Sequence, residues 1–265
     1  MPSPISSRNH DVARRVKRLY RRTYRQKDGV FLVEGFNLVR EGLDSGALLR
    51  ELVYVETRAE EAAFLLKGRG VRVQTNVVSS ELMGWLSDVV TSQGILGVFE
   101  QPHLAADGLP TVDGGLLLVA DQVRDPGNMG SLLRIADAVG ADGFVMTSGC
   151  VDVYNPKVVR SAAGAHFRVP LAPGTEIAEL RESLGDGMVM LGLDPRGNRS
   201  YLEVDYRGPV ALVVGNEAFG IGEEDRGRLD DTVFIPMPGS AESLNVASAA
   251  AIVMFEALRQ RAECC

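Results

Sequence analysis

An α/β fold is predicted, with a parallel sheet in the C-terminal half and a smaller α/β unit before it. Three features of the 265-residue chain carry this. From Leu116 onward, short uninterrupted apolar runs alternate with helical stretches. Runs of that length fit the central strands of a doubly wound parallel sheet covered on both faces. Before Glu100, shorter strand-like runs alternate with amphipathic helices as a compact unit of their own. Between the two, "QPHLAADGLPTVDGG" mixes Pro, Gly and Asp without periodicity, so residues 101–114 read as a linker. The predicted division is therefore 1–100, linker 101–114, and 115–265.

The chain opens on a basic segment expected to be helical over residues 8–27. Residues 1–30 hold nine Lys/Arg against Asp11 and Asp28, a net +7 on a chain whose total is −7. A basic patch on an acidic body points to a localised polyanion contact, with Arg14, Arg15, Arg18 and Arg22 as its candidate residues. The plain alternative is a solvated helix face. Tyr20 and Tyr24, four apart, can either stack on bases or anchor the helix to its own domain. "GVFLVEGFNLVREGLDSG" follows as a strand at Phe31–Val33 and a helix whose apolar face is Leu38, Val39 and Leu43. "LLRELVYVET", "GVRVQTNVV" and "GILGVFE" supply further strands, with a helix in "SSELMGWLSDVV".

In the C-terminal half the expected strands are 116–120, 143–147, 188–193, 210–215 and 232–236. The expected helices are 130–140, 156–164, 176–184, 223–229 and 245–260. Hydrophobic content of 45% and charged content of 24% suit an ordinary globular protein. No apolar run reaches the ~18 residues that span a bilayer. The N-terminus lacks the apolar stretch of a signal peptide. Cys150, Cys264 and Cys265 form no disulfide framework and no zinc spacing. A cytoplasmic, metal-free protein is expected.

Three polar, glycine-containing segments are expected at the carboxyl ends of strands, where ligands of such sheets gather. In "DQVRDPGNMGSLLRIADAVGADG", Asp125-Pro126-Gly127 makes a turn and Asn128 is placed to cap the next helix. Arg134 lies farther along that helix, where a weak pair with Asp137 is the plain alternative. In "VVGNEAFGIGEED", Gly215 follows a strand and Glu217 is placed to accept a hydrogen bond inside a cleft. No Walker loop and no dinucleotide fingerprint is present, which removes the oxidoreductase reading. In "IPMPGSAESLNVASAAA", Ser243 and Asn245 precede an alanine-rich helix, and each can serve simply as its cap.

Taken together and in this order, the three segments resemble the three motifs of the SpoU (TrmH-type) RNA 2′-O-ribose methyltransferases of the SPOUT superfamily. The resemblance covers about residues 116–261. "VEGFNLVREGL" looks like the family's N-terminal L30e-like substrate-binding domain, and "DVYNPKVVRSAAGAHFRVPL" resembles members acting on ribosomal RNA. The resemblance implies a deep C-terminal trefoil knot holding S-adenosyl-L-methionine, with Gly215, Ile235, Leu244, Met237 and Leu193 against it. It implies Asn128, Arg134, Glu217, Ser243 and Asn245 as the residues of methyl transfer, Arg134 either as base or as phosphate anchor. It implies RNA as partner, ribosomal RNA ahead of transfer RNA, and a homodimer packed through the knotted domains. A ribosome-assembly protein without catalysis is the alternative from another class.

Overall fold

The computed structural model describes residues 3–69, 73–102, 108–109, 115–184 and 187–262. Most of the expected linker, and Cys264 and Cys265, lie outside the described residues. The chain divides into two units, one formed by Met1–Pro102 with Tyr154–Phe167 and the other by His103–Val153 with Arg168–Cys265.

The first unit holds a four-stranded sheet in the order β1-β4-β2-β3, made of β1 (Val30–Glu34), β2 (Leu49–Val55), β3 (Gln74–Val78) and β4 (Ile95–Glu100). β4 runs antiparallel to β1 and β2, while β2 and β3 are parallel. On one face Leu32, Val53, Leu96 and Val98 pack with Val12, Val16, Leu82, Met83 and Leu86, from α1 (Asp11–Arg18) and α5 (Ser80–Leu86). An aromatic cluster gathers Phe31 and Phe99 with Tyr154, His166 and Phe167, at centroid distances from 4.9 to 6.3 Å. So the segment around α7 (Pro156–Ala162), which lies in the C-terminal half of the sequence, belongs to the first unit. Gly42, in α3 (Phe36–Asp44), is required there. A Cβ on it would come within 2.7 Å of Phe167 and 2.9 Å of Phe99.

The expected basic helix is two helices, α1 and α2 (Arg22–Asp28). Arg25 explains the break. Its guanidinium is buried and donates to the Leu19 carbonyl at the end of α1 (2.7 Å), satisfying a helix-terminal acceptor. Tyr20 and Tyr24 pack against the core, with Lys17 over the Tyr20 ring and Arg18 over the Tyr24 ring. They anchor the helices. α4 (Ala59–Leu66), a helix beyond those expected from the sequence, completes the unit by burying Ala62 and Leu65.

The second unit holds a seven-stranded, wholly parallel sheet in the order β7-β6-β5-β10-β8-β11-β9. Its central strands are β5 (Leu116–Ala120), β8 (Val189–Leu193) and β10 (Val210–Val214), all but the ends of β8 buried. β6 (Gly143–Met146) and β7 (Leu171–Pro173) flank one side, β11 (Asp231–Phe234) and β9 (Arg199–Ser200) the other. α6 (Pro126–Ala138) packs beside α10 (Val246–Ala262), while α8 (Ile177–Leu184) buries Ile177 and Leu180 in the core. α6 starts four residues before the expected helix because Asp125, not Asn128, caps it. The Asp125 carboxylate accepts from the Asn128 amide (2.8 Å), and Pro126 fills the first turn, where a missing N–H costs nothing. α9 (Glu223–Arg226) is shorter than the expected 223–229.

Candidate active site

The loops after β5, β8, β10 and β11 converge at the carboxyl edge of the parallel sheet. A parallel ladder brings successive strands to a common edge, so segments distant in sequence meet there. Together they line a cavity of about 680 Å³, within the roughly 300–1,000 Å³ range of small-molecule sites.

Its lining includes all five residues expected to hold a cofactor, Leu193, Gly215, Ile235, Met237 and Leu244. It also includes Asn128, Glu217, Ser243 and Asn245 of the expected polar set. Arg134 is the exception. It stands exposed on α6, outside the lining, with no hydrogen bond or ion pair among the described residues. The alternative pair with Asp137 does not form, because Asp137 is taken by Arg168 at 2.7 Å.

Three of the polar residues form one directed chain. Glu217 Oε1 accepts from Asn128 Nδ2 (3.0 Å), and Asn128 Oδ1 accepts from Asn245 Nδ2 (2.8 Å). Asn245 Oδ1 in turn accepts from the Ala247 and Ser248 amides (2.9 and 3.3 Å) at the start of α10. The polarity is forced at both ends. A carboxylate only accepts and a helix N-terminus only donates, so each amide between them has one allowed orientation. Glu217 also accepts from the Arg124 and Asp125 amides (3.3 and 3.1 Å), binding the β5 loop to the β10 loop. Burial raises its pKa, but the bonds from Asn128 and the backbone amides of Glu217, Asp125 and Arg124 outweigh that and leave it below the ordinary 4.5.

Around this chain the turns are tightly built. Asn216 Nδ2 donates to the Gln122 carbonyl (2.8 Å), while its Oδ1 accepts from the Ala218 and Phe219 amides. Gln122 sits at φ 52, and its amide donates to Thr147 Oγ1 (2.9 Å), whose hydroxyl donates to buried Asp121 (3.0 Å). Burial is the main influence raising the Asp121 pKa, the Thr147 bond opposes it, and Asp225 and Glu176 add to it. Gly215 has a steric warrant of its own, since a Cβ there would collide with the Gly220 and Ile221 backbone as the turn folds back.

Sequence reasoning missed several lining residues: Asp194, Arg196, Phe219 and Glu242. Asp194 was findable, because it follows β8 as Gly215 follows β10. It is buried and paired with Arg226. Far from this cleft in sequence, Arg14, Arg15 and Arg18 line a separate hollow with Asp11, and Arg22 is exposed. Arg15 is held by the buried Glu51 carboxylate through two bonds (3.0 and 2.8 Å). Arg14 pairs with Asp11 and Arg18 with Asp28 at the surface. Among the described residues no group of three or more His, Cys, Asp or Glu is placed to hold a metal ion, and no helix is long and apolar enough to cross a membrane.

Residues 115–255 match the SpoU rRNA Methylase family, and residues 10–97 match the MRM3-like substrate binding domain. A Streptomyces viridochromogenes protein named 23S rRNA (uridine(2479)-2′-O)-methyltransferase is 35% identical, covering 97% of this chain and 92% of its own. RlmP of Bacillus subtilis, a 23S rRNA (guanosine(2553)-2′-O)-methyltransferase, is 33% identical over 95% of this chain and 97% of its own. In structure, the SpoU methyltransferase AviRb from Streptomyces viridochromogenes, in complex with AdoMet, superposes with a TM-score of 0.88 at 32% identity. That match covers 96% of this chain and 99% of the other.

Proposed function

The chain belongs to the SpoU rRNA methylase family, and from that membership we propose how its own residues carry out the family's reaction. It is an S-adenosylmethionine-dependent RNA 2′-O-methyltransferase acting on 23S ribosomal RNA. The observation that carries the reading is the closed chain Glu217–Asn128–Asn245, which joins three loops around the one cavity they line.

The cavity suits the cofactor. Leu193, Ile235, Met237 and Leu244 offer apolar surface for an adenine, and the Gly215 turn brings main-chain groups to the edge. Glu242 adds a carboxylate that matches a hydroxyl or ammonium group. S-adenosylmethionine, when bound, supplies a methyl group on a sulfonium whose departure leaves a neutral thioether. The protein's task is then to hold the ribose 2′-hydroxyl in line with the sulfonium methyl, the hydroxyl proton passing to solvent water as the oxygen–carbon bond forms and the sulfur–carbon bond breaks.

Glu217 is not suited to take that proton. Both its oxygens already accept hydrogen bonds, and its lowered pKa makes it a weak base. Its role is to orient Asn128, while Asn128, Ser243 and Asn245 place the ribose. Arg134 binds the phosphate next to the target ribose, since a guanidinium holds its proton too firmly to act as a base and is a good bidentate anion partner. Its exposure on α6, clear of any carboxylate among the described residues, supports that assignment.

Four further parts of the reading rest on family likeness. The segment from Ile235 to Asn245 is threaded as the family's trefoil knot. Two chains pair through α10, whose Ile252, Phe255 and Leu258 form an uncovered apolar stripe. Arg14, Arg18 and Arg22 hold RNA phosphates. The protein works in the cytoplasm, where bacterial ribosomes are assembled.

The test is methyl transfer from labelled S-adenosylmethionine to protein-free 23S ribosomal RNA, followed by mapping of ribose methylation. A single new 2′-O-methyl position is expected. Transfer to transfer RNA instead would reassign the substrate, and cofactor binding without transfer to either would favour a non-catalytic role.

A further inference from the structure

The N-terminal unit carries an aromatic pair outside its main core cluster, Phe36 half-buried and Phe64 exposed. Phe36 opens α3 and Phe64 lies on α4, their ring centroids 6.2 Å apart and their planes tilted by 36°. α4 turns Ala62 and Leu65 into the core, while Phe64 remains 63% exposed. Arg40, one turn along α3, holds its guanidinium 5.6 Å from the Phe36 ring centroid. Two other cations of the unit, Arg58 and Arg69, are paired with Glu61 and Asp44. Arg40 and Lys67 have no carboxylate partner among the described residues. Phe36 follows Gly35, whose φ of 102 favours glycine and whose Cβ position is filled by the end of the Gln93 side chain.

We propose that Phe36 and Phe64, with Arg40 and Lys67, form a stacking platform for an unpaired RNA base, separate from the arginines of α1. The proposal rests on the reading of RNA as substrate. Every base presents a π face, so an exposed phenyl ring binds it whatever its identity, and an adjacent cation takes the phosphate. The two features together fit a nucleotide. An apolar protein partner would be met by two uncompensated charges.

The experiment uses the full chain and a fluorescein-labelled RNA of about twelve nucleotides, single-stranded or annealed to its complement, read by anisotropy across a salt series. Wild-type protein is expected to prefer the single strand. Phe64→Ala and Phe64→Leu should weaken single-strand binding on the order of 5- to 100-fold, with the salt slope unchanged and little effect on the duplex. Phe64→Trp should restore binding. Arg40→Gln should instead lower the slope by about one phosphate contact. Phe64→Leu binding like wild type, or an equal loss on both RNAs, would overturn the platform, as would no preference for unpaired RNA in the wild type. The same preparations are assayed for methyl transfer to 23S ribosomal RNA. Active protein whose Phe64 variants bind normally sinks the platform alone. Protein that prefers single strands through Phe64 yet methylates nothing sinks the functional reading and leaves the platform standing.

Discussion

A methyl group added at position 215 would lie against the Gly220 carbonyl group and the Ile221 nitrogen, which are backbone and cannot swing aside. Gly215→Ala is therefore expected to push the β10 turn outward, costing about 1–3 kcal/mol of stability and most cofactor affinity. Calorimetric titration with S-adenosylmethionine checks it, and unchanged affinity would show that the turn can yield. Asn128 must donate to one neighbour and accept from the other. Asn128→Asp sets two carboxylates against each other and should abolish methyl transfer more completely than Asn128→Ala. Glu217 adds a pH dependence. Its folded pKa lies below its ordinary 4.5, so its contribution to stability is fully present above that value and is lost as pH falls through the folded one. The melting temperature of Glu217→Gln should thus lie below wild type at neutral pH and converge with it in acid. A gap constant with pH would mean that the carboxylate charge is irrelevant. Arg134 is not among the residues that line the cleft, so Arg134→Ala should reduce turnover at least tenfold while cofactor affinity stays near wild type.

At the scale of elements, the two N-terminal helices separate arginines that look alike in sequence. Arg15 serves the fold, because Glu51 beneath it is buried and also accepts from Asn76 (2.7 Å). Arg15→Gln should cost about 1–3 kcal/mol by leaving that carboxylate short of its cation, visible as a shift in the denaturant midpoint. Arg14, Arg18 and Arg22 changed together to Gln should leave stability almost untouched, since exposed pairs contribute little. That triple variant should flatten the salt dependence of RNA binding, and an unchanged slope would return the helices to a purely structural role. Composition showed the basic segment but not this division of labour. The break at Leu19–Arg21 was equally hidden, because it depends on Arg25 folding its guanidinium back onto a carbonyl six residues earlier. The start of α6 was misplaced for a local reason. Asp125 and Asn128 are both good caps, and Pro126 decides between them.

For the whole molecule, the parallel sheet was legible because its central strands are unbroken apolar runs. The cleft was legible because polar residues directly after such runs must gather at one edge. The membership of Tyr154–Phe167 was not legible. Local pattern places that segment between a strand and a helix of the C-terminal half, and only its aromatic side chains tie it to Phe31 and Phe99. The chain thus leaves the second unit after Val153, completes the first, and returns at Arg168. The aromatic cluster on Phe31 and Phe99 consequently cannot form until Tyr154, His166 and Phe167 are present, which makes that part of the unit's folding a matter of long-range contacts. Phe167→Ala removes a ring packed 5.0 Å from Phe99 and 5.8 Å from Phe31, a loss of about 2–4 kcal/mol for a ring half-covered by its neighbours. Hydrogen exchange should then rise at the amides of β1 and β4, whereas β5 and β10 should keep their protection because their pairing is internal to the other unit. Equal loss of protection in both sheets would mean that the two units unfold as one, and that the segment binds them into a single cooperative structure.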